Sequence, residues 1–127
     1  MADLTTTDGS FYAFQPDAVV AVTDHDAVTG EAVTCVHGLA PAPLKIGESV
    51  TAFLARIGEA AKFAQLTRAN GSPIWLNAPA VGAIRAPLPG EYAAGGQAVI
   101  SVGSLTQGVT EDPATAKARI NAHGGKL

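Results

Sequence analysis

Acidic and imidazole side chains crowd one stretch, "DHDAVTGE", which puts Asp24, His25, Asp26 and Glu31 within eight residues. Carboxylates and a histidine that close could hold a divalent cation. The spacing fits no recognised metal loop, so a solvated acidic turn is the expectation. Cys35 and His37 follow, two residues apart on an alternating segment, and should leave the same face of a strand. A thiol–imidazole nucleophile needs direct contact, an orienting acid and an oxyanion site. No third partner is evident, and a half-exposed strand face is the simpler expectation. The glycine-rich pieces "AAGGQ" (93–97) and "HGGK" (123–126) lack the strand-then-helix context of a phosphate loop. No catalytic residue, metal or cofactor is therefore expected, and the chain reads as non-enzymatic.

The elements that would position these groups are more legible. "LTTTDGSFYAF" (4–14) returns as "LTRANGSPIWL" (66–76). A shift of 62 residues sets Ala2, Leu4, Thr5, Gly9, Ser10, Ala18, Val19 and Ala21 on identical residues. With the shift raised to 66, "AVTCVHGL" (32–39) lies on "AVISVGSL" (98–105). We read a tandem duplication, residues 1–62 and 63–127. Each copy predicts a strand, a turn at Asp8-Gly9 or Asn70-Gly71, a second strand, a tight turn, and two further strands. Asp-Gly and Asn-Gly are strong hairpin signals because both central residues tolerate positive φ.

Each copy then turns helical. In 44–62 a short strand leads to a helix with Ser49 as N-cap and Val50, Phe53, Leu54 and Ile57 as its apolar stripe. In the second copy Asp112 caps a helix that begins with Pro113, and Gly124-Gly125 end it. The junction 58–65 has no linker character, so the first helix should run nearly straight into the second copy. The expected fold is α+β and β-rich: two β-β-β-β(-β)-α units about a pseudo-twofold, forming one compact domain. A unit of this size sits near the lower limit for independent stability, so pairing explains the duplication.

Bulk properties agree. With 127 residues, 47% of them apolar and 15% charged, the chain can build a core. Its net charge of −3 gives no basic field for nucleic acid, and arguments from charge and from the two strand-associated arginines, Arg68 and Arg85, both count against nucleic-acid readout. One cysteine excludes an internal disulfide and fits a reducing compartment. No apolar run approaches the roughly 18 residues of a membrane helix, and the start lacks the pattern of a secretory leader. No membrane contact is expected, and the location is cytoplasmic, or the virion if the protein derives from a phage. Residues 1–62 carry eight acidic and three basic groups, and residues 63–127 carry three and five. Opposite signs would favour docking of the halves, or head-to-tail contact between molecules.

"LTRANGSPIWLN" followed by "AVGAI" resembles the FlbD/SwrD family of flagellar motility proteins. The matching positions are Leu66, Thr67, Arg68, Asn70, Gly71, Asn77, Val81 and Ile84. The family's Val-x-Glu-Ser before a helix is echoed by Ile46, Glu48, Ser49 and Val50. The resemblance implies no catalysis, only an accessory or interaction role. Family members are single units, whereas this chain has two.

Aromatic residues supply the interface candidates. Strict alternation puts Tyr12 and Phe14 on the core face, with Phe11 and Trp75 opposite. Trp75 then faces away from its own half's core, as tryptophans at interfaces do. Leu88 and Tyr92, in a loop stiffened by Pro87 and Pro89, are further candidates. The expected function is a protein-interaction or structural module, a scaffold or adaptor that self-associates or binds a protein. A phage-derived virion component is the alternative, and a small-ligand or nucleic-acid binder the weaker one.

Overall fold

The computed structural model describes residues 2–26, 28–91 and 96–127. The chain is a mixed α+β fold rich in strands. In order, β1 (Ala2–Thr5), β2 (Phe11–Phe14), β3 (Ala21–Thr23), β4 (Thr34–His37) and β5 (Leu44–Ile46) lead to α1 (Val50–Arg56). Then β6 (Phe63–Thr67), β7 (Pro73–Asn77), β8 (Val81–Arg85), β9 (Ala98–Val102) and β10 (Leu105–Val109) lead to α2 (Pro113–Ala122). A 3-10 turn follows β2 at Pro16–Ala18 and β7 at Ala78–Ala80.

Local chemistry accounts for much of this. The β1–β2 hairpin closes with Gly9 N–H donating to Thr6 O (3.0 Å) and Thr6 N–H donating to Ser10 O (2.8 Å). The β6–β7 hairpin repeats both bonds, from Gly71 to Arg68 and from Arg68 to Ser72. Only the glycines take positive φ, 91° at Gly9 and 88° at Gly71. Asp8 and Asn70 keep ordinary negative φ, contrary to the two-residue turn expected from sequence. The reason is the loop length: a four-residue turn followed by one left-handed glycine needs positive φ once. The Asp8 and Asn70 side chains instead accept from the N–H of Ser10 (3.1 Å) and Ser72 (3.0 Å).

Both helices start as the caps require. Ser49 Oγ accepts from Ala52 N–H, and Asp112 Oδ1 from Thr115 N–H. The first helix ends earlier than expected, at Arg56. Gly58 adopts φ 75°, and Glu59 N–H returns to Leu54 O, which closes the last turn. A separate 3-10 turn at Ala60–Lys62 then leads into β6, so the helix does not run into the second half.

The strands form three antiparallel sheets, ordered β1-β2, β10-β9-β8 and β5-β4-β3-β7-β6. The five-stranded sheet is a shared wall. Its β3–β7 pairing sets Ala21 opposite Leu76, Val22 opposite Trp75 and Thr23 opposite Ile74. Successive side chains take opposite faces. Val22 therefore enters a core with Leu4, Phe14, Val36, Phe53 and Leu54, under α1. Ala21 enters the other core with Leu66, Ile74, Leu76, Ile100 and Ile120, under α2. Each core borrows across the boundary, since Phe63 belongs to the first and Ala21 to the second.

Candidate interaction site

The groups with the richest chemistry meet in one hollow. β4 brings Cys35 and His37 to a cavity of about 340 Å³ also lined by Thr23, His25, Lys45 and Arg68. Arg68 comes from the tip of the β6–β7 hairpin and is 5% exposed. Its Nε donates to Ser72 Oγ (2.8 Å) and its Nη2 to His25 O (3.4 Å). Burial and the neighbouring Arg68 charge both push His37 below its ordinary value. Burial pushes the Cys35 thiol up, and Sγ donates weakly to Val33 O. A raised thiol value works against the thiolate that a cysteine nucleophile needs. His37 Nε2 is buried and has no hydrogen-bond partner among the described residues.

The acidic loop is held by its own contacts. Asp26 accepts from Val28 N–H (2.8 Å), and Lys45 Nζ bridges Asp26 and Glu31 at 3.1 Å each. The Asp24 carboxylate meets His25 Nδ1 at 2.9 Å. Among the described residues no group of three or more His, Cys, Asp or Glu is placed to hold a metal ion.

The His37 environment predicts a pH response. Its folded value lies below the ordinary histidine value of 6.5, so the unfolded chain binds more protons between the two. Stability therefore rises with pH across that window and is lost as pH falls from about 6.5 towards the folded value. His37→Gln is expected to flatten the loss of thermal stability between about pH 7 and pH 5 relative to the parent. A parent curve already flat over this range would contradict the burial argument.

Trp75 lies on β7 opposite Val22 and packs against the first-half core, while Ile74 and Leu76 fill the second. It is half-buried and edges a smaller hollow with Thr51, Leu54 and Phe63. Next to it Asn77 fastens the junction: its N–H donates to Val20 O and its Nδ2 to Val19 O, both at 2.9 Å. Trp75→Ala should cost about 2 kcal/mol, below the range for fully buried aromatics because the ring keeps some exposure. Urea unfolding checks this, and a loss under about 0.5 kcal/mol would show that the ring adds nothing to the junction.

The remaining candidates lie at the periphery. Phe11 is 66% exposed on β2, and Leu88 is 63% exposed in the loop after β8. Tyr92 lies outside the described residues. Arg85 and Glu91 brace that loop, and the Arg85 contact together with Leu88 N–H holds the Glu91 carboxyl at about 2. Asp8, Gly9, Asn70 and Gly71 sit exposed at the two hairpin tips. The ion pairs described each join residues of the same half, so the charge difference between halves is not spent at β3–β7.

Single bridges, Thr6 with Ile46 and Arg68 with Val109, link the sheets, which leaves two outer strands without a second neighbour among the described residues. β8 ends its sheet and β2 pairs only with β1. Gly82, Ala83 and Arg85 of β8 are exposed, as are Phe11 and Ala13 of β2. Sequence reasoning missed three participants: the buried Arg68, the junction amide of Asn77, and the Ala83–Ile84 edge. All three carried a signal only as motif or repeat positions. No family model, no curated protein and no solved structure matches this chain.

Proposed function

We propose that the chain is a non-enzymatic structural module that works by joining β-units edge to edge, an accessory scaffold or adaptor of the kind the FlbD/SwrD resemblance implies. One observation carries this reading. The β3–β7 pairing joins two sets of elements in the same order, while the equivalent outer edges, on β8 and β2, are largely apolar and take no further strand among the described residues. The same order from β1 to α1 and from β6 to α2 supports a duplicated unit. A closed twofold would repeat the junction as β8 with β2, and the described pairings hold only β3 with β7. Open apolar edges recruit strands, by the backbone hydrogen bonds they have left to make.

A second reading shares this observation. A virion or assembly component needs an edge that keeps accepting new copies, and unsatisfied edges at both ends of a chain supply one. Light scattering behind a sizing column tests both readings. The expected result is a mass above 12.8 kDa, from self-association or from a stoichiometric protein partner. A bare 12.8 kDa chain at every concentration, with no co-purifying protein, would overturn the proposal. A specific heterologous partner favours the adaptor, and a closed or growing homopolymer favours the assembly component.

A further inference from the structure

We infer, resting on that reading, that the partner of these edges is a second copy of this chain, joined head to tail by pairing β8 of one molecule with β2 of the next. The internal junction dictates the register. Applying the 62-residue period to β3–β7 sets Ala83 opposite Phe14, Ile84 opposite Ala13 and Arg85 opposite Tyr12 of the neighbouring copy. The face assignments carry over as well. Val22 lies over its own half's core, and its counterpart Ile84 packs against the second-half core under α2. Ala21 is completed by the core of the following unit, and its counterpart Ala83 is exposed, where a following unit would cover it.

Exposure follows the same logic. Ala21, Val22 and Thr23 are all buried at the internal junction, whereas Ala83 and Arg85 are exposed and Ile84 is half-buried. Neither β2, with Phe-Tyr-Ala-Phe, nor β8 before Arg85 carries a proline or inward charge, and the register shift in β8, between Val81 and Ala83, falls before the three residues that would pair. Beside β8 lies an open hollow of about 450 Å³ lined by Ala83, Ile84, Ala114 and Lys117. Counted from the helix caps, Ala114 and Lys117 correspond to Thr51 and Leu54, which border the hollow that Trp75 edges inside the chain. The incoming β2 has the small Ala13 in the Trp75 position, and Phe11 on the same face is the ring available to cover the β8 hollow. Gln15 stands where Asn77 stands, with a side-chain amide for the carbonyl of Val81 and a backbone N–H for that of Gly82. Charge agrees: the joint brings a half of net −5 onto a half of net +2, which speeds and orients encounter. Whether such a chain closes into a ring or grows as a filament is set by the rotation per joint.

The test uses the full chain in a Cys35→Ser background. Ala13→Cys and Ile84→Cys are made in separate molecules, because directly opposed residues bring Cβ atoms within about 5 Å. Mixing the two and adding a short bis-maleimide should yield covalent dimers containing one of each, while either alone yields far less. A second measurement, on the natural background, is sedimentation of Ala83→Asp, an exposed site whose change leaves the folded circular dichroism spectrum intact. Its self-association is expected to weaken at least tenfold, about 1.4 kcal/mol. Self-association without the mixed cross-link and untouched by Ala83→Asp would overturn this register while leaving edge-driven interaction standing. A heterologous partner that Ala83→Asp releases, with no self-association at any concentration, would overturn the second copy as occupant.

Discussion

Phe53→Ala should lower the unfolding free energy by about 3–5 kcal/mol, the range for removing a fully buried aromatic ring. Phe53 is completely buried and sits in the core with Phe14, the ring centroids 6.3 Å apart. Arg56 lies over its outer face, with the guanidinium carbon 5.7 Å from the centroid. The seven residues of α1 are too few to hold a helix without tertiary anchoring, and Phe53 is its deepest anchor. A loss of that size is a large share of the 5–15 kcal/mol typical of a whole domain. Because β3 and β7 are shared by both cores, the halves should still unfold together. Urea titrations followed by Trp75 fluorescence and by far-ultraviolet circular dichroism are expected to coincide, both shifted to lower urea in the variant. A loss below about 1 kcal/mol would mean α1 is not part of the first core.

Gly38→Ala should cost roughly 3 kcal/mol, for two reasons that act together. The residue adopts φ 113°, a conformation that side chains with Cβ rarely enter. An added Cβ would also stand 2.5 Å from Ala18 O and 3.1 Å from Val20 N, both backbone atoms that cannot swing aside. The clash reaches further than one turn, since the carbonyls of Val19 and Val20 are the acceptors that Asn77 uses to fasten β7. The variant is therefore expected to loosen the β3–β7 junction as well as lower the melting temperature. Hydrogen exchange at Asn77 N–H reads out that second effect. Gly30→Ala is the control: its φ is 75° and nothing lies within 4 Å, so only the backbone cost of about 1 kcal/mol applies. Equal effects at the two sites would show that the contact with residues 18–20 is not what matters.

Taken by itself, the amino-acid order determined the features that depend on near neighbours. Ser49 and Asp112 cap helices because their side chains reach an N–H three residues on, whatever the rest of the chain does. Gly9 and Gly71 end hairpins because only glycine enters left-handed backbone at low cost. The stripe Val50, Phe53, Leu54 and Ile57 announced a buried helical face, and all four are buried. Even locally, one error arose where two solutions compete: Asp-Gly and Asn-Gly suit a two-residue turn, and one extra loop residue moved the positive φ onto glycine alone.

Tertiary structure alone decided which strands meet. β3 and β7 are about 50 residues apart, and each could as readily have paired with another apolar strand, since backbone hydrogen bonds carry no sequence label. That choice placed Val22 against Trp75, buried Arg68 beside His37, and left β8 and β2 open. Arg68 shows the reason most clearly. A lone arginine after a hairpin strand reads as exposed, because burying a charge is costly until the fold supplies Ser72 Oγ and His25 O as partners.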